Sequence, residues 1–160
     1  MKFCPECRTE LEEVELGGYR RLRCMDQCGF IHWGNPTPVV AAIVEYEGKV
    51  LLARNVNWPK KWYALITGFL ERDETPEIGV LREVKEELDL DSRIVEFVGH
   101  YPFPELNQII CVYHVEAWGT VTLNEELADY RLFDHDQVRA WPRGTGPAVR
   151  DWLERRLGRS

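Results

Sequence analysis

The chain has 160 residues, is 44% hydrophobic and carries a formal net charge of -7 at pH 7. This length allows one medium-sized core with one small appended module, and it excludes two domains of ordinary size. The negative charge, without any run of Lys or Arg, disfavours nonspecific nucleic-acid binding. Because the sequence contains no apolar run typical of a membrane span or a secretory signal, we expect a cytoplasmic protein with no membrane contact.

Four of the cysteines form two close pairs near the start of the chain. Cys4 and Cys7 have C-x2-C spacing, and Cys24 and Cys28 have C-x3-C spacing. The segment between the pairs contains Gly17-Gly18, which suits a short β-hairpin joining two knuckles around one tetrahedral Zn²⁺. Four thiolates leave no open coordination position, so the predicted zinc is structural. Free thiols without a metal are the alternative.

The cysteine segment ends at Asn35-Pro36-Thr37-Pro38, where a run of β-prone residues begins. We therefore predict a zinc ribbon over residues 1–34 and a second domain over residues 35–160. Strands are predicted over residues 39–46, 50–54, 94–98 and 109–118, and the first two of them form a hairpin. Helices are predicted from Pro76, behind an N-cap at Thr75, to about Leu88 and over residues 148–157. Strands interleaved with two helices predict a mixed α/β or α+β sandwich.

The first predicted helix carries three glutamates on one face. Glu83, Glu86 and Glu87 stand at i, i+3 and i+4, and this spacing gathers their carboxylates within about one quadrant of the helix surface. Carboxylate oxygens are ligands that Mg²⁺ or Mn²⁺ prefers, together with water and the phosphate oxygens of a substrate. A solvated acidic face is the alternative interpretation, because such faces are common on helices.

A longer pattern surrounds these glutamates: Gly68, five residues, Glu74, seven residues, and then residues 82–90 with the sequence R-E-V-K-E-E-L-D-L. It resembles the Nudix box, G-x5-E-x7-R-E-U-x-E-E-x-G-U, in which U is a bulky aliphatic residue. Every defined position matches except the last glycine, which is Asp89 here. Asp tolerates the left-handed backbone conformation better than most residues do. The resemblance implies a Nudix-type α/β/α sandwich with a mixed sheet.

The resemblance also implies roles for individual residues. Glu83, Glu86 and Glu87 would bind catalytic Mg²⁺ or Mn²⁺, and the nucleophile would come from one of them or from a metal-bound water. Arg82 would orient Glu83, so that Glu83, Glu86 and Arg82 are the predicted catalytic residues. Gly68 would bring its backbone carbonyl close to a metal ion, because a residue without a Cβ permits such an approach.

Two further acids lie outside this helical face. Glu74 is expected to brace the box, although a simple acid at the N-terminal end of the helix is an equal alternative. Glu126 begins a segment that resembles the E-x2-E-x2-W-F arrangement found after the fourth strand of the family. Glu126 is therefore our candidate for completing the metal site from a loop, with an ordinary polar loop as the alternative.

A zinc ribbon followed by Asn-Pro and a Nudix domain resembles the NADH pyrophosphatase branch of the family. Relatives with this architecture act on NADH, ADP-ribose or FAD, and the family resemblance also implies a homodimer. The branch carries S-Q-P-W-P-F-P after the box, whereas residues 98–104 read V-G-H-Y-P-F-P here. Tyr101 and Phe103 are candidates for stacking on a base or nicotinamide ring, as is Trp62, with ordinary packing as the alternative.

Together these inferences predict a metal-dependent hydrolase with a small-molecule nucleotide substrate. It would split the diphosphate bond of a nucleoside diphosphate that is linked to another moiety, and release two monophosphates. A nucleoside triphosphate pyrophosphohydrolase is the nearest alternative. The alternative from another class is a non-catalytic ribbon that binds nucleic acid or protein, and the intact acids and the negative charge argue against it.

Overall fold

The computed structural model describes residues 1–26 and 28–158. The chain divides into two compact units, Met1–Pro36 and Thr37–Ser160. Within the described residues, no helix combines the length and the apolar character that a bilayer crossing requires.

In the described part of the N-terminal unit, the regular structure is an antiparallel sheet of three strands. They are β1 (Leu11–Leu16), β2 (Tyr19–Cys24) and β3 (Ile31–His32), in the order β1-β2-β3. The turn between β1 and β2 is made by Gly17 and Gly18, with φ angles of 62° and 80°. Only glycine adopts this left-handed backbone freely, so the glycine pair sets the turn. The hairpin predicted between the two cysteine pairs is therefore confirmed.

In the described part of the second unit, six strands form one sheet. They are β4 (Thr37–Tyr46), β5 (Lys49–Asn55), β6 (Ile66–Phe69), β7 (Asp91–Phe103), β8 (Gln108–Trp118) and β9 (Leu127–Phe133). Their order is β7-β8-β4-β5-β9, with β6 paired to β4. β4 and β8 run parallel, and the other described pairs are antiparallel. The predicted mixed sheet is confirmed, but the sequence prediction missed β6 and β9 and made β7 too short.

Two α-helices are found among the described residues of this unit, α1 (Pro76–Leu88) and α2 (Gly146–Leu157), and a short 3-10 helix covers Pro104–Leu106. The Thr75 hydroxyl accepts a hydrogen bond from the backbone N–H of Ile78 at 3.4 Å, which makes Thr75 the N-cap of α1. At the other end, Asp89 has φ 55° and donates its backbone N–H to the carbonyl of Lys85 at 2.9 Å. The predicted helix start and its left-handed end at Asp89 are both confirmed.

The helices cover opposite faces of the sheet. Alternate residues of β4 face opposite sides, and because both sides are covered the strand is apolar almost throughout. On one side, side chains of α1 pack on the sheet: Val80, Val84 and Leu88. On the other side, side chains of α2 do so: Ala148, Val149 and Trp152. The predicted α/β/α sandwich is confirmed, and the apolar stripe of α1 leaves its glutamate-bearing face turned away from most of the core.

Candidate active site

Gly68 and Glu83 meet where β6 packs beside α1. A Cβ atom built on Gly68 would lie 1.9 Å from the carboxyl carbon of Glu83. Such a contact is far inside van der Waals distance, so the absence of a side chain at Gly68 gives the Glu83 carboxylate its position. The sequence predicted a close backbone approach at this glycine, and the group that fills the space in the structure is Glu83.

Arg82 links three acids of the box into one network. Its guanidinium donates to both carboxylate oxygens of Glu74, at 2.8 and 3.0 Å. The Nη1 atom donates to Glu83 at 2.7 Å and to Glu86 at 2.9 Å, and Nη2 also donates to the carbonyl of Phe69 at 3.0 Å. These contacts use all five N–H groups of an arginine side chain. Arg82 therefore binds Glu83, Glu74 and Glu86 at once, and its role in orienting Glu83 stays a prediction.

Glu74 accepts hydrogen bonds from Arg82 through both carboxylate oxygens. Hydrogen bonds from Arg82 are the largest cause that lowers the pKa of Glu74, followed by the backbone N–H of Glu71. Gly79 lies at the end of the first turn of α1, and a Cβ atom built on it would come 2.9 Å from a Glu74 carboxylate oxygen. A glycine inside a helix costs about 1 kcal/mol. Here it leaves room for the carboxylate that holds Arg82.

Glu87 is only 8% exposed, which is unusual for a carboxylate. Burial is the main cause that raises the pKa of Glu87 to about 8, and the charges of Glu83, Glu126 and Glu86 raise it further. Burial also raises the pKa of Glu83, against the opposing effect of Arg82. A divalent cation would favour the ionised form of these carboxylates, because it supplies the positive charge that the cluster lacks. The hard oxygen donors and their unfavourable mutual repulsion therefore fit Mg²⁺ or Mn²⁺.

Glu126 reaches this cluster because its loop is tied to the end of α1. The backbone N–H of Thr122 donates to the carbonyl of Leu88 at 2.9 Å, and that of Asn124 donates to the carbonyl of Glu87 at 3.2 Å. Both carbonyls belong to the last turn of α1 and lack partners inside the helix. The Asn124 side chain in turn accepts from the backbone N–H of Glu126 at 3.1 Å. The loop thereby brings Glu126 near Glu87.

Glu87 and Glu126 line a cleft of about 70 Å³, which has room for a cation and a few water molecules. Its other lining residues come from β5, the following loop, β6 and the start of β9. They are Ala53, Asn55, Trp58, Leu65, Thr67 and Leu127. Sequence analysis missed Trp58, and the one available signal was its place in a Trp- and Lys-rich loop shortly before the box.

The predicted ring-stacking residues lie elsewhere. Tyr101 and Phe103 pack against the core on the α2 side of the sheet, opposite α1. The Tyr101 hydroxyl donates to Asp151 of α2 at 2.9 Å, and burial raises the pKa of Tyr101 to about 12. Trp62 is 64% exposed, and within the described part of the chain none of these three residues lines the cleft. Their role in substrate binding stays a prediction.

The N-terminal unit holds a second candidate site. The Sγ atoms of Cys4, Cys7, Cys24 and Cys28 lie within 4.8 Å of one another. Three of the S–S distances are 3.3, 3.6 and 3.7 Å. Zn–S bonds of about 2.3 Å in a tetrahedron place sulfurs about 3.8 Å apart. Hydrogen bonding from Thr9 lowers the pKa of Cys7 to about 6, whereas burial raises the pKa of Cys24 and the neighbouring thiol of Cys24 raises that of Cys28. Bound Zn²⁺ would displace the thiol protons. The arrangement fits a closed Zn²⁺ site.

Comparison with known proteins identifies relatives over nearly the whole chain. A protein of Vibrio atlanticus (strain LGP32) named NAD-capped RNA hydrolase NudC is 32% identical, over 84% of this chain and 49% of the relative. The human protein named NAD-capped RNA hydrolase NUDT12 is 30% identical, over 86% of this chain and 32% of the relative. The chain spans about half the length of the bacterial relatives.

A solved structure and a family match agree with these relatives. The crystal structure of a NUDIX hydrolase from Nitrosomonas europaea is similar with a TM-score of 0.82 and 30% identity, over 99% of this chain and 94% of that chain. Residues 35–155 match the family described as NUDIX domain. Since this match includes the box, the six-stranded sheet, α1 and most of α2, the chain belongs to the Nudix hydrolase family.

Proposed function

We propose that the chain is a metal-dependent hydrolase that cleaves the diphosphate bond of an NAD-type dinucleotide and releases two monophosphates. The observation that carries the proposal is that the charges of Glu83, Glu86 and Glu126 act on Glu87, which lines one cleft with Glu126, in a chain of the Nudix family. Among them, the buried Glu87 carboxylate supports the proposal most directly. Its charge is unfavourable unless a cation is present, and diphosphate hydrolysis requires such a cation.

The four carboxylates and the backbone carbonyl of Gly68 would hold Mg²⁺ or Mn²⁺. When bound, the ion neutralises the diphosphate and stabilises the charge that develops on the leaving phosphate. The protein supplies fixed positions for its ligands: the space beside Gly68 receives Glu83, and the end of α1 carries the loop of Glu126. Glu83 and Glu86 are the proposed catalytic carboxylates, and one of them would accept the proton of the attacking water.

Arg82 is proposed to act through the acids rather than on the substrate. Its five N–H groups are already used by Glu74, Glu83, Glu86 and the carbonyl of Phe69. A guanidinium occupied in this way holds two carboxylates of the cluster in fixed orientations. Such preorganisation keeps the ligand positions ready for the cation and lowers the cost of assembling the site.

The substrate class is proposed from the relatives. The bacterial and human relatives are both named NAD-capped RNA hydrolases. An NAD-capped RNA and a free dinucleotide such as NADH both contain the diphosphate linkage of NAD. NADH, ADP-ribose and FAD are the proposed small substrates. An NAD-capped RNA is a further candidate substrate, and the net charge of -7 implies that it would be held mainly at its cap.

A substrate panel tests this function. We expect hydrolysis of NADH, NAD, ADP-ribose or FAD with Mg²⁺ or Mn²⁺, with two monophosphates as products in a chromatographic assay. Glu86→Gln and Glu87→Gln should each lower turnover by at least about a hundredfold, because each removes a proposed metal ligand. Release of pyrophosphate from nucleoside triphosphates, with no cleavage of any dinucleotide, would show that the alternative activity is the right one.

We also propose a zinc ribbon over residues 1–34 and a hydrolase domain over residues 35–160, with one structural Zn²⁺ bound by the four cysteines. Elemental analysis should find about one zinc per chain, and a folded N-terminal unit without metal would contradict this assignment. The cytoplasmic location and the homodimer are proposed from the sequence and the family resemblance. Light scattering of the purified protein tests the dimer.

A further inference from the structure

We propose that Trp58 stacks on the substrate ring that adjoins the diphosphate, and that Trp58 thereby contributes to substrate specificity. This inference rests on the proposed function. It assigns the ring contact to a residue of the cleft itself, in place of the aromatic residues that the sequence pattern suggested.

The position of Trp58 is the first argument. Trp58 lines the same cleft as Glu87 and Glu126, so its side chain borders the place where the diphosphate would bind. The residue is 39% exposed, which leaves part of the indole ring open. A ligand ring can stack on this exposed part of Trp58 without displacing a side chain that packs against it.

The loop that carries Trp58 is held in place by hydrogen bonds, which is the second argument. The backbone N–H of Val56 donates to the carbonyl of Glu126 at 2.9 Å. The Asn55 side chain accepts from the backbone N–H of Asn57 at 3.0 Å, and the Asn55 carbonyl accepts from that of Trp58 at 3.0 Å. The Trp58 loop and the Glu126 loop are therefore joined directly. A ring contact on Trp58 would be fixed relative to a proposed metal ligand.

The surroundings of the cleft favour a ring over a second charged group. Beside Trp58, the rest of the lining is uncharged: Ala53, Leu65 and Leu127 are apolar, and Asn55 and Thr67 are neutral polar residues. The charged groups of the cleft, Glu87 and Glu126, are acids that would repel any phosphate not neutralised by a cation. The neutral face of Trp58 is thus suited to the uncharged part of the substrate, a base or a nicotinamide ring.

The alternatives to Trp58 are less well placed. Tyr101 and Phe103 pack on the α2 side of the sheet, and the Tyr101 hydroxyl is engaged by Asp151. Trp62 is exposed but does not line the cleft. Among the aromatic side chains of the described residues, Trp58 is the one that borders the carboxylate cluster in this cleft.

Calorimetric titration of the wild-type chain with a nonhydrolysable NAD analogue, in which a methylene group bridges the phosphates, tests the proposal in the presence of Mg²⁺. Trp58→Leu should weaken binding of the analogue about tenfold, which lies in the lower part of the range for a base on an aromatic side chain. Trp58→Phe should bind within about threefold of the wild type, because it keeps a ring. The matched control is Trp118→Leu, which removes a tryptophan that is 49% exposed at the end of β8 and should leave binding of the analogue unchanged.

Methylenediphosphate, which lacks any ring, separates stacking from damage to the fold. It should bind Trp58→Leu and the wild type equally well. Unchanged binding of the analogue by Trp58→Leu, or weakening by Trp62→Leu in its place, would overturn the role of Trp58. If the wild type cleaves dinucleotides while Trp58→Leu keeps full affinity, only this inference fails. If the wild type neither cleaves them nor binds the analogue, the proposed function fails together with it.

Discussion

Replacing Glu87 with glutamine should stabilise the fold while it removes a proposed metal ligand. The Glu87 carboxyl is buried beside three other acids, and its pKa is raised to about 8 from an ordinary value of 4.5. A carboxyl whose pKa is raised in the folded state binds its proton more tightly there than in the unfolded chain. The stability that the protonated Glu87 carboxyl contributes is therefore fully present below pH 4.5, and it is lost as the pH rises toward 8.

The size of the effect follows from this pKa difference. At about 1.4 kcal/mol per pH unit, the interval between 4.5 and about 8 sets a ceiling of about 4 kcal/mol on the loss at pH 8. Relaxation of the site and entry of water reduce such penalties, so we expect about half of the ceiling, roughly 2 kcal/mol. Glutamine stays neutral at every pH and avoids this loss. Glu87→Gln should therefore raise the free energy of unfolding at pH 8 by about 2 kcal/mol.

Urea unfolding followed by tryptophan fluorescence at pH 5 and pH 8 measures this difference. No Mg²⁺ or Mn²⁺ is added to the samples. No chelator is used either, because a chelator would remove metal from the cysteine site. Glu86→Gln is the matched control: its side chain is 56% exposed, and its substitution should change stability by less than about 0.5 kcal/mol. Saturating Mg²⁺ should reduce the difference in the free energy of unfolding between the two proteins, because the cation stabilises the wild type more than Glu87→Gln. A variant that is less stable than the wild type at pH 8, or that keeps the wild-type pH dependence, would refute the reasoning.

Three further substitutions test the geometry around α1. Gly68→Ala should lower turnover at least about a hundredfold with an unchanged circular dichroism spectrum, because the new methyl group displaces the Glu83 carboxylate; near wild-type activity would contradict this. Arg82→Lys should also lower turnover by about a hundredfold, because an ammonium group cannot bridge three carboxylates, and wild-type turnover at limiting Mg²⁺ would argue against an orienting role. Asp89→Gly should raise the free energy of unfolding by about 0.5 to 1 kcal/mol, because glycine adopts φ 55° freely and the exposed ion pair to Lys85 contributes little. A lower melting temperature for Asp89→Gly would contradict that estimate.

Local sequence patterns were sufficient for much of the fold. The period of α1 places Glu83, Glu86 and Glu87 on one side, and Thr75 and Pro76 mark where the helix begins. The β4–β5 hairpin follows from apolar β-branched residues around a turn at Glu47-Gly48, where both residues have positive φ. These features depend on residues that are only a few positions apart, so they can be predicted from the sequence alone.

The strands that the sequence prediction missed or shortened are not defined by their local sequence. β6 has four residues and pairs with β4, so the sheet rather than its own composition defines it. β7 contains two irregularities in its pairing with β8, between Ile94 and Glu96 and between Phe97 and Gly99. Each irregularity changes which later side chains face which side of the sheet. The side on which Tyr101 lies could therefore not be derived from simple alternation.

The sequence by itself determined the family pattern, the two cysteine pairs, the carboxylate face of α1 and the layered α/β class. The tertiary structure decided that Arg82 is shared by Glu74, Glu83 and Glu86, that Glu126 meets Glu87, and that Trp58 lines their cleft. The physical reason is the range of the interactions. Helical spacing and metal-ligand spacing are local, whereas these contacts join segments whose distance depends on strand order, register and loop anchoring.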